Sequence, residues 1–163
     1  MDPVEAEQRL PGVWELVYWH AKLPDGSIRS PFGRKPAGTL VYTSDGVVSV
    51  NMMHTGRSDL SVSDEMRATC RRVGLGRAPD DPDNPDLQEA KLRYFRIASA
   101  YQAYSGQWRI EDNLVVHSVE LALFPEWIGT ELIRRYDFED EDLILSPVTN
   151  DLSPPLKLRW RRH

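Results

Sequence analysis

Apolar residues recur at every second position in eight separate stretches of this chain, the period of strands that bury one face. Residues 13–22 (VWELVYWHAK) align Trp14, Leu16, Tyr18 and His20 on one face and turn Val17 and Trp19 to the other. Residues 38–43 (GTLVYT) put Leu40 with Tyr42, and residues 47–54 (VVSVNMMH) align Val48, Val50, Met52 and His54. Residues 104–111 align Tyr104, Gly106, Trp108 and Ile110, and residues 114–121 align Val115, His117, Val119 and Leu121. Residues 130–138 align Leu132, Arg134, Tyr136 and Phe138. Residues 142–148 (DLILSPV) follow, and residues 156–162 end the series with Leu156, Leu158 and Trp160 on one side.

The connections turn these strands into an architecture. Ser44-Asp45-Gly46, Asp112-Asn113 and the acidic run EDED at 139–142 are turns short enough to force antiparallel hairpins. The remaining connections are longer, so the tight turns gather at one end of the strands and the long segments at the other. Eight such strands close into an all-β, up-and-down antiparallel barrel, because closure removes both sheet edges. An interior of that size holds one small ligand, with the tight-turn end closed and the long-loop end as its mouth.

Between the third and fourth strands the period changes. Residues 62–72 (VSDEMRATCRR) read as a helix with Ser61 as its N-cap. A Pro-rich acidic loop, RAPDDPDNPD, separates it from a second helix over 87–102, which Asp86 and Glu89 start as a capping box. This insert, about 55–103, is expected over the mouth as a lid, and residues 1–163 read as a single barrel domain.

Composition narrows the class. A length of 163 residues matches one domain, since domains run mostly at about 100–200 residues. With 40% hydrophobic and 28% charged residues, the chain is neither a disordered tail, a collagen-like repeat nor a coiled coil. The net charge is −5 and the only dense basic run is the terminal LRWRRH, so a nucleic-acid partner is not expected. No run approaches the roughly 18 apolar residues of a membrane span. The N-terminal MDPVEAEQRLPG reads as neither a signal nor a transit peptide, and Cys70 stands without a partner for a disulfide. The expectation is a cytoplasmic monomer or homodimer.

Several motifs carry no chemistry. His117 and Glu120 stand three apart on a strand and so face opposite sides, which excludes a metal pair. DDPDNPD lacks the glycine and glutamate of a calcium loop, and Gly74-Leu75-Gly76 is neither a phosphate loop nor a dinucleotide fingerprint. No metal and no cofactor is expected.

Gly12-Val13-Trp14 at the start of the first strand forms the G-x-W of lipocalins and related calycin barrels. Together with GTLVYTSDGVVSV (38–50), AYSGQW (103–108) and HSVELALFPEWIGTELIRRYDF (117–138), it makes the chain resemble the bacterial and fungal lipocalin-like domain family, from Pro11 to Arg161. The chain departs from secreted lipocalins in lacking their disulfide. The resemblance implies a pocket for a small molecule without implying a reaction. It also implies an arginine laid over the G-x-W tryptophan to close the base, a role for which Arg159 or Arg161 competes with Arg134.

The inward stripes name the candidate site. Tyr18, His20, Tyr42, Met52, Tyr104, Trp108 and Tyr136 line the expected pocket, with Phe124 and Trp127 at the mouth. Beside them, His117, His54 and Arg134 carry chemistry: an imidazole to move a proton near neutral pH and a guanidinium to hold an anionic or enolate oxygen. Two readings compete for His117, a proton carrier or a core histidine bonded to a tyrosine hydroxyl. Three functions follow: binding of a small, largely apolar molecule of polyketide or terpenoid type; a cofactor-independent cyclase, isomerase or lyase acting on one; or a protein-interaction module using the outward Val17 and Trp19.

Overall fold

The computed structural model describes residues 3–57, 61–148 and 156–163. A short helix, α1 (Pro3–Arg9), precedes β1 (Gly12–Lys22), the two-residue β2 (Ile28–Arg29), β3 (Ala37–Tyr42) and β4 (Val47–Met53). Helices α2 (Asp64–Gly74) and α3 (Pro85–Ser99) come next, followed by β5 (Tyr101–Glu111) and β6 (Leu114–Ala122). A single 3-10 turn (Pro125–Trp127) leads to β7 (Glu131–Glu139), β8 (Asp142–Pro147) and β9 (Lys157–Arg162).

Eight strands close into an antiparallel barrel in the order β1-β3-β4-β5-β6-β7-β8-β9, and β9 returns to β1 from Trp14↔Arg162 to His20↔Lys157. The ninth strand, β2, hangs on β1 outside the ring through Ala21↔Arg29 and Lys22↔Ile28. The tight turns need the left-handed backbone, and Gly46, Asp112 and Asp140 supply it at φ of 92°, 52° and 56°. Leu40, Tyr42, Val48, Val50, Met52, Val115, Val119, Leu143, Leu145, Leu158 and Trp160 form one buried core in the barrel. The alternation of apolar residues read from the sequence therefore marks the inner face on β3 through β9 except at Leu121, which a register shift between β5 and β6 turns outward to 68% exposure while Ala122 packs on the core.

On β1 it does not. The ladder between β1 and β9 slips between Leu16 and Tyr18: Leu16 pairs Trp160, but Tyr18 pairs Arg159 and Trp19 pairs Leu158. Such a bulge places one extra residue on a strand and inverts the facing of everything beyond it. Trp19 and Ala21 are buried, Trp19 within the barrel core against Phe32, with ring centroids 4.7 Å apart. Tyr18 and His20 consequently stand on the outer face, stacked on each other at 4.0 Å. This corrects their assignment to the pocket, and it removes the outward Trp19 on which the interaction-module reading rested.

The closed end is sealed by α1, whose Ala6 is fully buried along with Leu10 just beyond it. Trp14 Nε1 donates to the Leu10 carbonyl at 2.9 Å. The arginine over Trp14 is Arg162, 4.2 Å from the ring centroid, rather than Arg159 or Arg161. Arg162 also donates to the carbonyls of Pro11, at 3.0 Å, and Arg9. Gly12 has φ +148°, and a Cβ there would collide with the Arg162 guanidinium, which accounts for the glycine of G-x-W in this chain. Arg159 and Arg161 both donate to Asp142 instead, Arg159 Nε at 2.6 Å from its Oδ2. Burial pushes the Asp142 carboxyl up, but these two guanidinium groups outweigh it and hold it below the usual carboxylate range.

The chain divides into two compact units, residues 1–55 with 102–163, and residues 56–101. In the second, Cys70, Leu87 and Ala90 form a small core with Val62, Met66, Val73 and Tyr94. Its helices start at other caps than the sequence suggests. Ser63 rather than Ser61 accepts from the Met66 amide, and Asn84 rather than Asp86 accepts from the Leu87 amide. Pro85 suits the first helical position, where no amide hydrogen is needed, so α3 begins there. Glu89 pairs with Arg93 at 2.6 Å instead of reaching back to the cap. No helix of the described residues is long and apolar enough to cross a membrane.

Candidate functional site

Three strands bring one polar cluster together inside the barrel. His117, from β6, is fully buried, and both of its ring nitrogens meet phenols. Nε2 lies 2.7 Å from the Tyr42 hydroxyl of β3, and Nδ1 lies 2.8 Å from the Tyr104 hydroxyl of β5. Register explains the meeting: His117 pairs with Trp108 and Tyr104 with Ala122, so the two strands present Tyr104 and His117 on one face a short distance apart. Gly106 makes that approach possible, since a Cβ there would collide with the Ser118 carbonyl across the strand irregularity.

The electrostatics keep all three groups neutral. Burial, then the positive charge of Arg134, hold the His117 imidazole well below its ordinary value. Burial, reinforced by Tyr104 and partly offset by Arg134, pushes the Tyr42 phenol well above its ordinary value. Tyr104 is raised by burial against the opposing pull of Arg134. A neutral imidazole has one N–H and one bare nitrogen. One tyrosine therefore donates to His117 and the other accepts from it. Three polar hydrogens serve two bonds, and the accepting tyrosine keeps its hydroxyl proton for another acceptor.

Arg134 stands next to this relay. It shares the inner face of β7 with Leu132, Tyr136 and Phe138, and its Cζ lies 5.8 Å from the Tyr104 ring centroid. Leu132 and Arg134 are both half-buried, while Tyr136 further along the strand is buried. No carboxylate and no hydrogen-bond acceptor meets the guanidinium among the described residues. With Arg162 closing the base, Arg134 is not needed there.

The other candidates divide. Met52 is buried on the inner face. Trp108 packs edge-on to Tyr42 at 5.2 Å, and its indole N–H is committed to the Thr43 carbonyl at 3.0 Å. Tyr136 is buried, but its hydroxyl donates to the Asp112 carbonyl at 2.9 Å, which binds it to the closed-end turn. Trp127 meets Tyr104 edge-on at 6.0 Å and Phe124 at 5.1 Å, so the 3-10 turn connects to the relay. His54 lies beyond β4 against Gly33 and is no member of the relay.

Sequence reasoning missed Trp19 and Arg162. The signal for Trp19 was present: beyond Tyr18 the apolar residues are Trp19 and Ala21, while His20 and Lys22 are polar. Clefts also open elsewhere among the described residues. One of about 220 Å³ opens at Ser49, Asn51, Tyr104, Ser105 and Leu121, and one of about 560 Å³ on the helical unit is lined by Arg67, Cys70, Arg71, Val73, Lys91 and Tyr94.

Comparison with known proteins gives the lineage. The model of the lipocalin-like domain family matches residues 11–74 and 76–161. No curated protein matches the chain. Among solved structures, the wild-type fluorescent protein UnaG is 12% identical with a TM-score of 0.39, over 96% of this chain and 98% of that one. An alanine mutant of UnaG is 13% identical with a TM-score of 0.39, over 96% and 97%. With most of its length covered by the family match, and with a closed eight-stranded barrel, the chain belongs to the lipocalin-like domain family.

Proposed function

We propose that the barrel binds a small, largely apolar molecule bearing an anionic or enolate oxygen, and that Arg134 holds that oxygen. The single observation that carries this reading is an inward, half-buried guanidinium with no acceptor among the described residues. A buried unpaired charge is costly, so an arginine kept on an inner face calls for an anion. The remaining inner wall is aromatic and aliphatic, which suits a polyketide- or terpenoid-like skeleton.

The test is calorimetric titration with anthracene-2-carboxylate, a rigid apolar anion. The expected result is one-to-one binding that weakens by about 10- to 100-fold in Arg134→Leu, the worth of a charge-assisted hydrogen-bond pair. Absence of saturable binding, or equal affinity in the variant, contradicts the reading.

The relay favours a second reading, in which the pocket acts on its ligand as a cyclase, isomerase or lyase. In that case the proton donor is the tyrosine with the uncommitted hydroxyl, and His117 sets which tyrosine that is. His117 with both nitrogens bonded is no free base. Arg134 stabilises the developing oxyanion. Turnover abolished by Tyr42→Phe or Tyr104→Phe in a folded protein supports this reading, and turnover unchanged in both removes it.

A further inference from the structure

Two more donors face the barrel interior without acceptors. Trp19 is 9% exposed and Trp160 1% exposed, and neither indole N–H has a hydrogen-bond partner among the described residues. This is not the habit of the other inner tryptophans: Trp14 donates to the Leu10 carbonyl and Trp108 to the Thr43 carbonyl. A shielded N–H left unbonded costs about 1–3 kcal/mol, so buried donors are nearly always matched.

Their placement is specific. Trp160 pairs with Leu16, and Trp19 pairs with Leu158, so the two indoles sit diagonally on the inner face of the adjacent strands β1 and β9. In the ring of eight, β6, which carries His117, lies four places from β1 in either direction. Trp19 therefore stands across the barrel from His117, whereas Tyr42, on β3, is next to β1 and Arg134, on β7, is two places from β9. An eight-stranded barrel is just wide enough for one small ligand to touch both the indoles and Arg134. No described aspartate or glutamate faces inward: Glu15, Glu120, Glu131, Asp137 and Glu139 are exposed, and Asp142 serves Arg159 and Arg161 on the outer face. The interior thus offers hydrogen-bond donors on two sides and no carboxylate to receive a ligand's own donors.

We infer that the ligand is bipolar in its oxygens: an anionic oxygen at Arg134 and one or more neutral carbonyl oxygens deeper in the barrel, received by Trp19 and Trp160, which the ladders set level with Tyr136 and Phe138. The chemical class is a rigid, donor-poor polyketone or quinone acid. This rests on the barrel-binding reading above and specifies its ligand.

Two probes with the same tricyclic frame separate the claims, anthracene-2-carboxylate and 9,10-anthraquinone-2-carboxylate. The quinone is expected to bind the wild-type protein about tenfold tighter, the worth of one or two added hydrogen bonds. Trp19→Phe and Trp160→Phe keep the ring and remove the N–H. Each is expected to shrink the quinone's advantage while leaving affinity for the anthracene acid unchanged. A second readout needs no variant: in the wild-type protein the indole ¹H–¹⁵N resonances of Trp19 and Trp160 move downfield with the quinone acid and not with the anthracene acid. If the Phe variants do not fold, that spectrum decides. Equal affinity for the two probes, an advantage intact in both folded variants, or indole resonances indifferent to the carbonyls overturns this inference alone. Binding of neither probe overturns the barrel-binding reading and this inference together.

Discussion

At the closed end of the barrel, Arg162 lies over Trp14 and donates to two backbone carbonyls, while the Trp14, Trp108 and Tyr136 donors each reach a carbonyl of their own. Further inside, Arg134 has no acceptor among the described residues, Trp19 and Trp160 have none, and the relay keeps one hydroxyl proton in hand. Both regions use the same residue types on the same inner faces. The difference is that one is complete as protein and the other lacks its acceptors. A closed end built this way is a stability device, whereas the unmatched interior donors are the groups that the proposed ligand answers.

Substitutions can break this comparison from either side. Arg162→Ala is expected to be the most damaging to stability, at about 2–4 kcal/mol, because it removes charge-assisted bonds to two carbonyls and a cation–aromatic contact. For a chain of this size that lowers Tm by roughly 5–15 °C in calorimetry. Tyr42→Phe and Tyr104→Phe come next, each at about 1–3 kcal/mol by chemical denaturation, since each strands one nitrogen of a fully buried imidazole. The double variant is expected to depart from the sum of the singles, because the two share one histidine.

The pH dependence follows from His117. Its folded value is held below the value of about 6.5 expected for an unfolded chain. Between those two values the unfolded state binds the extra proton, so the histidine's contribution is full above about pH 6.5 and is lost as pH falls through that value towards the folded one. A wild-type Tm that drops between pH 7 and 5 more steeply than that of His117→Gln, which still offers a donor and an acceptor but does not titrate, is the expected outcome. The smallest effect on stability belongs to Arg134→Leu, within about 1 kcal/mol in either direction, because no protein bond is lost and an isolated charge is removed. A loss as large as that of Arg162→Ala would erase the distinction between the two regions.

Much of this was legible from residue spacing. The eight strands, their hairpin turns and the inner faces of β3 to β9, Leu121 apart, follow from period two and from Gly46, Asp112 and Asp140 at the tight turns. The inward positions of Tyr42, Tyr104, His117 and Arg134 follow with them. What did not follow depends on pairing between distant segments. The slip at Val17 belongs to the ladder of β1 with β9, at the two ends of the chain, and it turned Tyr18 and His20 out and Trp19 in. That Arg162 rather than Arg159 or Arg161 covers Trp14 depends on the same register. The relay required the relative heights of three strands, which hydrophobic alternation does not encode.

The most direct test is a crystal structure of the protein with anthracene-2-carboxylate. A carboxylate inside the barrel at about 2.7–3.1 Å from the Arg134 guanidinium, with the rings against the aromatic wall, is the result this account predicts. A probe on the helical unit, its carboxylate at Arg67, Arg71 or Lys91 with the barrel interior unvisited, would contradict it.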